Sequence, residues 1–346
     1  MKILYCALIV CISCVSCENE RGKVSEIPQV IVDVDAGSDD AIAILMLLSA
    51  HKKGEINLKA ITCVAGNTKL NNVATNVLRV LEAASALNIP LYNGAAEGLV
   101  PDPDYNLDSN VYHGKDGFGD IDYGGHNPNR SYIRPEHAVN IIYNLVSENP
   151  NKIIMVFLGP LTNAALIGQM HPDFFQLVKD IFIMGGNYKG VGNKSNAAEF
   201  NFGMDPEAAY LIFKKSKRNI TLLPWETCMK INLTADWRFN VMGNIDNEEM
   251  KLMNKVELSI NILHNNETIY YACDSAGVAV MLNPQIIVNS FTIHTTVELY
   301  GRFTRGQTVI DHNSLYTPNT KIVTQIDDNV FKKMLMVAAG HNAASL

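Results

Sequence analysis

The stretch from Ile27 to Ala50, IPQVIVDVDAGSDDAIAILMLLSA, constrains the fold of this chain more than any other. An apolar run, Val30 to Val34, ends around Asp33 and Asp35; a glycine turn follows, and Asp39 and Asp40 open an apolar helical run. Strand, glycine turn and helix in that order open a βα unit, and sheets built from such units bind ligands at the carboxyl ends of their strands. Asp33 and Asp35 are two apart and face the same way on an extended strand. Asp39 and Asp40 fall in the first helical turn, where the positive end of the helix dipole favours them. Four carboxylates in the eight positions 33–40 repel one another, so at least one stays protonated unless a cation joins them. An all-oxygen ligand set points to a hard divalent ion, and a flexible protein cage suits Ca2+ better than Mg2+. The spacing is not that of an EF-hand loop: the glycine is fifth from Asp33 rather than sixth, and Ile44 stands at the twelfth position in place of Glu. A solvated acidic turn capping a helix would explain Asp39 and Asp40, but not an acid at the end of an apolar strand.

With 47% hydrophobic residues among 346, the chain can bury a large core, and α/β folds of this length often form one domain. One domain over residues 27–346 is the expectation. The net charge of −7 and the lack of a basic stretch argue against a nucleic-acid partner. Residues 1–17, MKILYCALIVCISCVSC, read as a secretory signal peptide: one lysine, an apolar run too short for a comfortable membrane span, then small residues. A lipoprotein-type signal ending at Cys17 fits less well, because Cys14 stands where an aliphatic residue is expected. A secreted protein that is not held in a membrane follows. Beyond that segment only Cys63, Cys228 and Cys273 remain, an odd and widely spaced set that makes no disulfide framework. In a secreted protein the sequons at Asn129, Asn193, Asn219, Asn232 and Asn266 become candidate glycan sites. Asn193 is also expected in the active site, and therefore buried.

Strand, polar Gly or Asn loop and helix then repeat. Strands expected at Leu58–Val64, Ile89–Tyr92, Lys152–Leu158, Asp180–Met184 and Ile220–Pro224 alternate with helices. That pattern predicts a single-domain, Rossmann-like α/β fold: an open, mostly parallel sheet with helices on both faces. From Asn93 to Arg134 the pattern breaks into a Gly-, Asp- and Pro-rich region containing HGKDGFGD. Long irregular stretches inside a domain are usually functional, and this one reads as an active-site loop. Further on, the sequence predicts helical decoration over Thr234–Asn261 and a helical run from Asn261 to Ala272 leading into the Cys273 turn. Strands at Val288–Thr296, Thr308–Asp311 and Lys321–Val323, and a helix from Asn329, close the chain.

Every expected strand end carries a polar residue or a glycine turn, which gathers Asp35, Asp40, Asn67, Asn193, Glu199, Asn201 and Asp274 around one crevice. Carboxylates and carboxamides without a nucleophilic Ser triad suit a polyhydroxylated ligand, whose hydroxyls they hydrogen-bond. A hard cation among them can chelate a vicinal diol and activate water.

The segments DVDAGSDDAIAI, VAGN, HGKDGFG, GPLTNAA, MGGN, NAAEFNFGMDPEAA and GRFTRGQTVID together resemble the inosine–uridine-type nucleoside hydrolase family, from about Pro28 to the C-terminus. The resemblance implies the nucleoside hydrolase fold, a homodimer or homotetramer, and a Ca2+ held by Asp35, Asp40, Asp274 and the backbone carbonyl of Leu158. Asp35 would also be the general base. Asp39, Asn67, Asn193, Glu199, Asn201 and Asp274 would hold the ribose hydroxyls, with Met184 close to the ribose. Asp33 would brace the acids, and His113 would lie near the nucleobase. The implied reaction is hydrolysis of the N-glycosidic bond of a ribonucleoside to ribose and free base, by the logic of an inverting glycosidase with an oxocarbenium-like transition state. An acidic pocket repels phosphate, so nucleosides rather than nucleotides are expected. Purine nucleosides such as inosine are slightly favoured over uridine, because Trp225 and the Tyr270–Tyr271 pair offer stacking area.

One position departs from the family pattern. Where many members carry a His that protonates the leaving base, this chain has Cys273. A thiol of pKa about 8.5 is protonated at neutral pH and could donate; a buried Cys is also a small apolar filler. Two other readings compete. A haloacid-dehalogenase-like phosphatase wants Thr or Val two residues after its second Asp, where this chain has Gly37. A secreted nucleoside-binding protein without turnover would accommodate Cys273, but the metal acids and the general base are all intact.

Overall fold

The structure, a computed structural model, describes residues 26–100, 112–264, 266 and 268–342. The signal segment lies outside them. The first half runs β1 (Gln29–Val34), α1 (Ser38–Lys52), β2 (Asn57–Cys63), α2 (Leu70–Ala83), β3 (Leu91–Asn93) and β4 (Ile133–Arg134). The middle runs α3 (Ala138–Glu148), β5 (Ile153–Phe157), α4 (Thr162–Met170), α5 (Phe174–Leu177), β6 (Asp180–Met184), α6 (Phe200–Met204), α7 (Pro206–Lys215) and β7 (Ile220–Leu223). Four helices follow: α8 (Trp225–Cys228), α9 (Ala235–Asn240), α10 (Glu248–Leu263) and α11 (Cys273–Leu282). The chain closes with β8 (Ile287–Ile293), β9 (Thr295–Val297), β10 (Thr308–Ile310), β11 (Thr320–Ile326) and α12 (Asp328–Ala338).

Nine strands form one sheet in the order β4-β3-β2-β1-β5-β6-β7-β11-β8. Only the pairing of β8 with β11 is antiparallel; β9 and β10 make a separate hairpin. The chain moves outward from β1 to β4, then returns to lay β5 along the other side of β1. The order reverses there, and the loops after β1 and β5 part to leave a crevice.

Alternate residues of β1 enter different cores. Val30, Val32 and Val34 join one cluster with residues of α1, α2 and α11; Ile31 joins the other, with residues of α3, α4 and α7. Both sheet faces are covered, which is why the strand is apolar at successive positions. Helix α1 is apolar on all sides, as a helix enclosed by protein must be, and it packs on α11 and α12.

Three local expectations change. The helix expected to run on to Ala272 stops at Leu263; Asn266, at φ +59°, lies outside the helical region, and Ile269 bridges Thr234. The strand expected over Val288–Thr296 divides at His294, where the chain leaves the main sheet for the hairpin. The region read as irregular contributes a short edge strand, β4. Among the described residues no helix is long and apolar enough to cross a membrane.

Candidate active site

The site begins where β1 ends. Ala36, at φ +28°, turns the chain between Asp35 and helix α1, and Asp40 Oδ2 accepts the Gly37 N–H at 2.9 Å. Gly66 after β2 and Gly159 after β5 flank Asp35, and a Cβ at either would run into its side chain. These glycines let three strand ends close around one carboxylate.

Asp33 is fully buried, and its Oδ1 accepts hydrogen bonds from Thr62 Oγ1 and, at 2.9 Å, Asn163 Nδ2. Burial pushes its carboxyl up to about 7. Asp35 Oδ2 accepts the Asn67 N–H at 2.7 Å; burial, then the charge of Asp40, holds this carboxyl well above its usual range. Burial and the charge of Asp39 push Asp40 up to about 8. Asp274, in the first turn of α11, is raised by burial and by Asp39, Asp40 and Asp35, and shares a hydrogen bond with Asp40.

One oxygen each of Asp33, Asp35, Asp39 and Asp40 is buried without a hydrogen-bond partner. Such atoms are costly to leave unsatisfied, and a hard cation satisfies several at once. Asp39, Asp40 and Asp274 offer oxygens within 4.8 Å of one another, so this all-oxygen set fits a divalent ion. The trio includes Asp39 where the sequence pointed to Asp35, which stands next to it. The Leu158 carbonyl accepts Asn201 Nδ2 at 2.6 Å.

These acids border a cavity of about 330 Å³, a size usual for small-molecule sites. Of the residues singled out in the sequence, Asp35, Asp39, Asn67, His113, Leu158, Met184, Asn193, Glu199, Asn201, Trp225, Cys273 and Asp274 line it. Asp40 is buried behind them, its Oδ2 3.4 Å from Asn67 Nδ2. Glu199 caps α6: its oxygens accept the N–H groups of Asn201 (2.9 Å), Gly186 (2.7 Å) and Phe202 (3.1 Å). A carboxylate has about four lone-pair sites, which leaves one for a ligand. Burial pushes Glu199 up to about 7.

His113 Nδ1 accepts the Ser38 N–H at 3.3 Å, so the ring proton sits on Nε2, 3.5 Å from Asp39 Oδ1. Burial lowers the imidazole pKa, and the ring is neutral at pH 7. Cys273 stays a thiol: its hydrogen bond with Cys228, then burial, pushes it well above the usual range.

Asn193 corrects an expectation: it lines the cavity but is exposed. Its loop is polar and glycine-rich, and Val191, two residues before it, is 43% exposed, so the residues beside Asn193 do not draw it inward. All five sequon asparagines are exposed. The aromatic wall was only half legible. Tyr271 lines the cavity with its ring 5.4 Å from that of Trp225, whereas the Tyr270 hydroxyl donates to Glu257 at 2.8 Å. Consecutive side chains point opposite ways on extended backbone, so reading this segment as extended would have separated the two. Tyr112 and Phe200 also line the cavity; their only sequence signal is adjacency to His113 and Glu199.

The family described as inosine-uridine preferring nucleoside hydrolase matches residues 30–333. An enzyme of that description from Crithidia fasciculata is 30% identical over 315 residues, covering 90% of this chain and 96% of its own length. A pyrimidine-specific ribonucleoside hydrolase from Citrobacter koseri is 32% identical, covering 88% and 96%. A solved inosine-guanosine nucleoside hydrolase superposes with a TM-score of 0.81 at 28% identity, covering 91% of this chain and 99% of its own.

Proposed function

This chain belongs to the inosine-uridine preferring nucleoside hydrolase family, and from that premise we propose that it is a secreted, Ca2+-dependent ribonucleoside hydrolase that slightly favours purine nucleosides such as inosine. One observation carries the reading: buried acids with unpartnered oxygens share a nucleoside-sized cavity with the Trp225–Tyr271 ring pair. The relatives named above differ in the bases they take, so base preference rests on that aromatic wall.

Asp35, Asp40, Asp274 and the Leu158 carbonyl would hold the ion, with Asp39 beside them. Bound there, it supplies a positive charge that lowers the pKa of water and draws in ribose hydroxyls. Asp35, with Oδ1 unpartnered, takes a proton from the attacking water as its oxygen bonds to the anomeric carbon. The C–N bond breaks and its electron pair leaves on the base. Asp39, Asp274, Glu199 and the Asn67, Asn193 and Asn201 amides hold the sugar hydroxyls, and the fixed carboxylates stabilise the oxocarbenium-like centre. Met184 packs near the ribose and His113 near the base.

Ribose release from inosine and from uridine tests this reading. Faster release from inosine supports it, faster release from uridine overturns the purine preference, and nucleoside binding without release leaves the non-catalytic alternative. A mature N-terminus near residue 17 in secreted material checks the signal peptide.

Cys273 is the donor to the leaving base in this reading. Cys273→Ala should cost about 10²-fold in kcat/KM on inosine. A nitrophenyl riboside, whose leaving group needs no proton, should change by less than about threefold. Equal losses on both would remove the role. Trp225→Ala should lower kcat/KM for inosine by about 5- to 100-fold, the worth of one stacked base. The loss for uridine, with its smaller ring, should be less; parallel rate measurements on the two nucleosides check this.

A further inference from the structure

Glu226 is a buried carboxylate that the chemistry above does not use. It follows Trp225 in the short helix α8 and is 3% exposed. Its Oε2 accepts the Tyr188 N–H at 2.9 Å, and its Oε1 accepts the N–H groups of Lys189 at 2.7 Å and Val191 at 3.3 Å. A charge is buried only where it is well hydrogen-bonded, and all three donors come from one limb of the loop between β6 and α6.

That loop carries Asn193. Asn187 draws its two limbs together, donating through Nδ2 to the Val191 carbonyl at 3.1 Å and the Ala197 carbonyl at 2.7 Å. Asn193 itself is exposed, so side-chain packing does not fix its place; its N–H donates to the Ala198 carbonyl at 3.1 Å, and the limb that leads to it is held at Glu226. A group that must meet a substrate needs such support. The residue that gathers the limb is next in sequence to the cavity-lining Trp225.

We propose that Glu226 is a positioning residue for nucleoside hydrolysis: by gathering residues 188–191 it sets Asn193 at the same cavity wall that Trp225 forms. The proposal rests on the reading of Asn193 as a ribose-binding residue.

Glu226→Gln replaces one acceptor oxygen with an NH2 group, which cannot accept an N–H. Misplacing a binding group by about 1 Å can cost 10²-fold, so kcat/KM for ribose release from inosine should fall about 10- to 100-fold, mainly through KM. The decisive readout is the double-mutant cycle with Asn193→Ala. If Glu226 acts through Asn193, E226Q costs less than about twofold in the N193A background. Gly190→Ala, at φ +72° in the same limb, gives a second loop variant if E226Q does not fold, and its loss should vanish in N193A in the same way. Losses that multiply, or full activity in E226Q, overturn the proposal while a damaging N193A keeps the ribose-binding reading. An N193A enzyme with wild-type kcat/KM removes that reading and the proposal together.

Discussion

Asp35→Asn should lower kcat/KM for nucleoside hydrolysis by about 10³-fold, within the span that a general base contributes. The substitution keeps the volume and can keep the hydrogen bond from the Asn67 N–H, made to Oδ2 at 2.7 Å. What it removes is the ability to accept a proton, on a side chain whose other oxygen has no partner. Ribose release at saturating and limiting inosine would separate the terms: kcat should carry most of the loss. A variant that keeps a tenth of the wild-type kcat would show that another group takes the proton.

Removing the cation should abolish turnover and also make stability depend more steeply on pH. In the protein without metal, Asp33 and Asp40 are pushed up from 3.8 to about 7 and about 8. Between about pH 4 and pH 8 the folded chain therefore holds protons that the unfolded chain has released. Stability falls as pH rises wherever the native state binds more protons, so the metal-free protein should melt at a lower temperature at pH 8 than at pH 5. Each kcal/mol lost moves the midpoint by roughly 1 to 2 °C in a chain of this length. Bound Ca2+ would keep the carboxylates ionised and flatten that slope, so its addition should raise the midpoint more at pH 8 than at pH 5. Melting curves on metal-free and Ca2+-loaded protein check both signs. Chelator-resistant ribose release would remove the metal from the reaction.

The acid-rich βα opening was legible because apolar positions and carboxylates stand within one short stretch, where strand and helix periods are plain. The sheet was legible from repeated strand ends that carry polar residues. Most of the failures share a cause: the deciding partner is distant in sequence. The run around Tyr270 has residues that suit a helix, yet its backbone N–H goes to the Leu233 carbonyl at 3.0 Å. The division of β8 from β9 at His294 depends on where β10 lies, which periodicity does not encode. Asn193 is of a type common in binding sites, but its exposure depends on a loop with little to bury. Glu226 carries no local signal beyond being an acid after a strand, because its partners are backbone groups of a loop upstream.

Asp40 and Asp274 come from near opposite ends of the chain and meet only when α1 packs on α11. Neither the N-terminal strands nor the C-terminal helices alone hold the acids that a cation would bridge. Contacts so far apart in sequence form slowly, because the intervening chain must be ordered first. An ion at this junction binds the finished fold and not its fragments, so by mass action it favours the native state. Where its contacts are absent from the folding transition state, it slows unfolding rather than hastening folding. Such an ion would be a latch that closes last, and the half-life of the folded enzyme would then depend on the divalent cation around it.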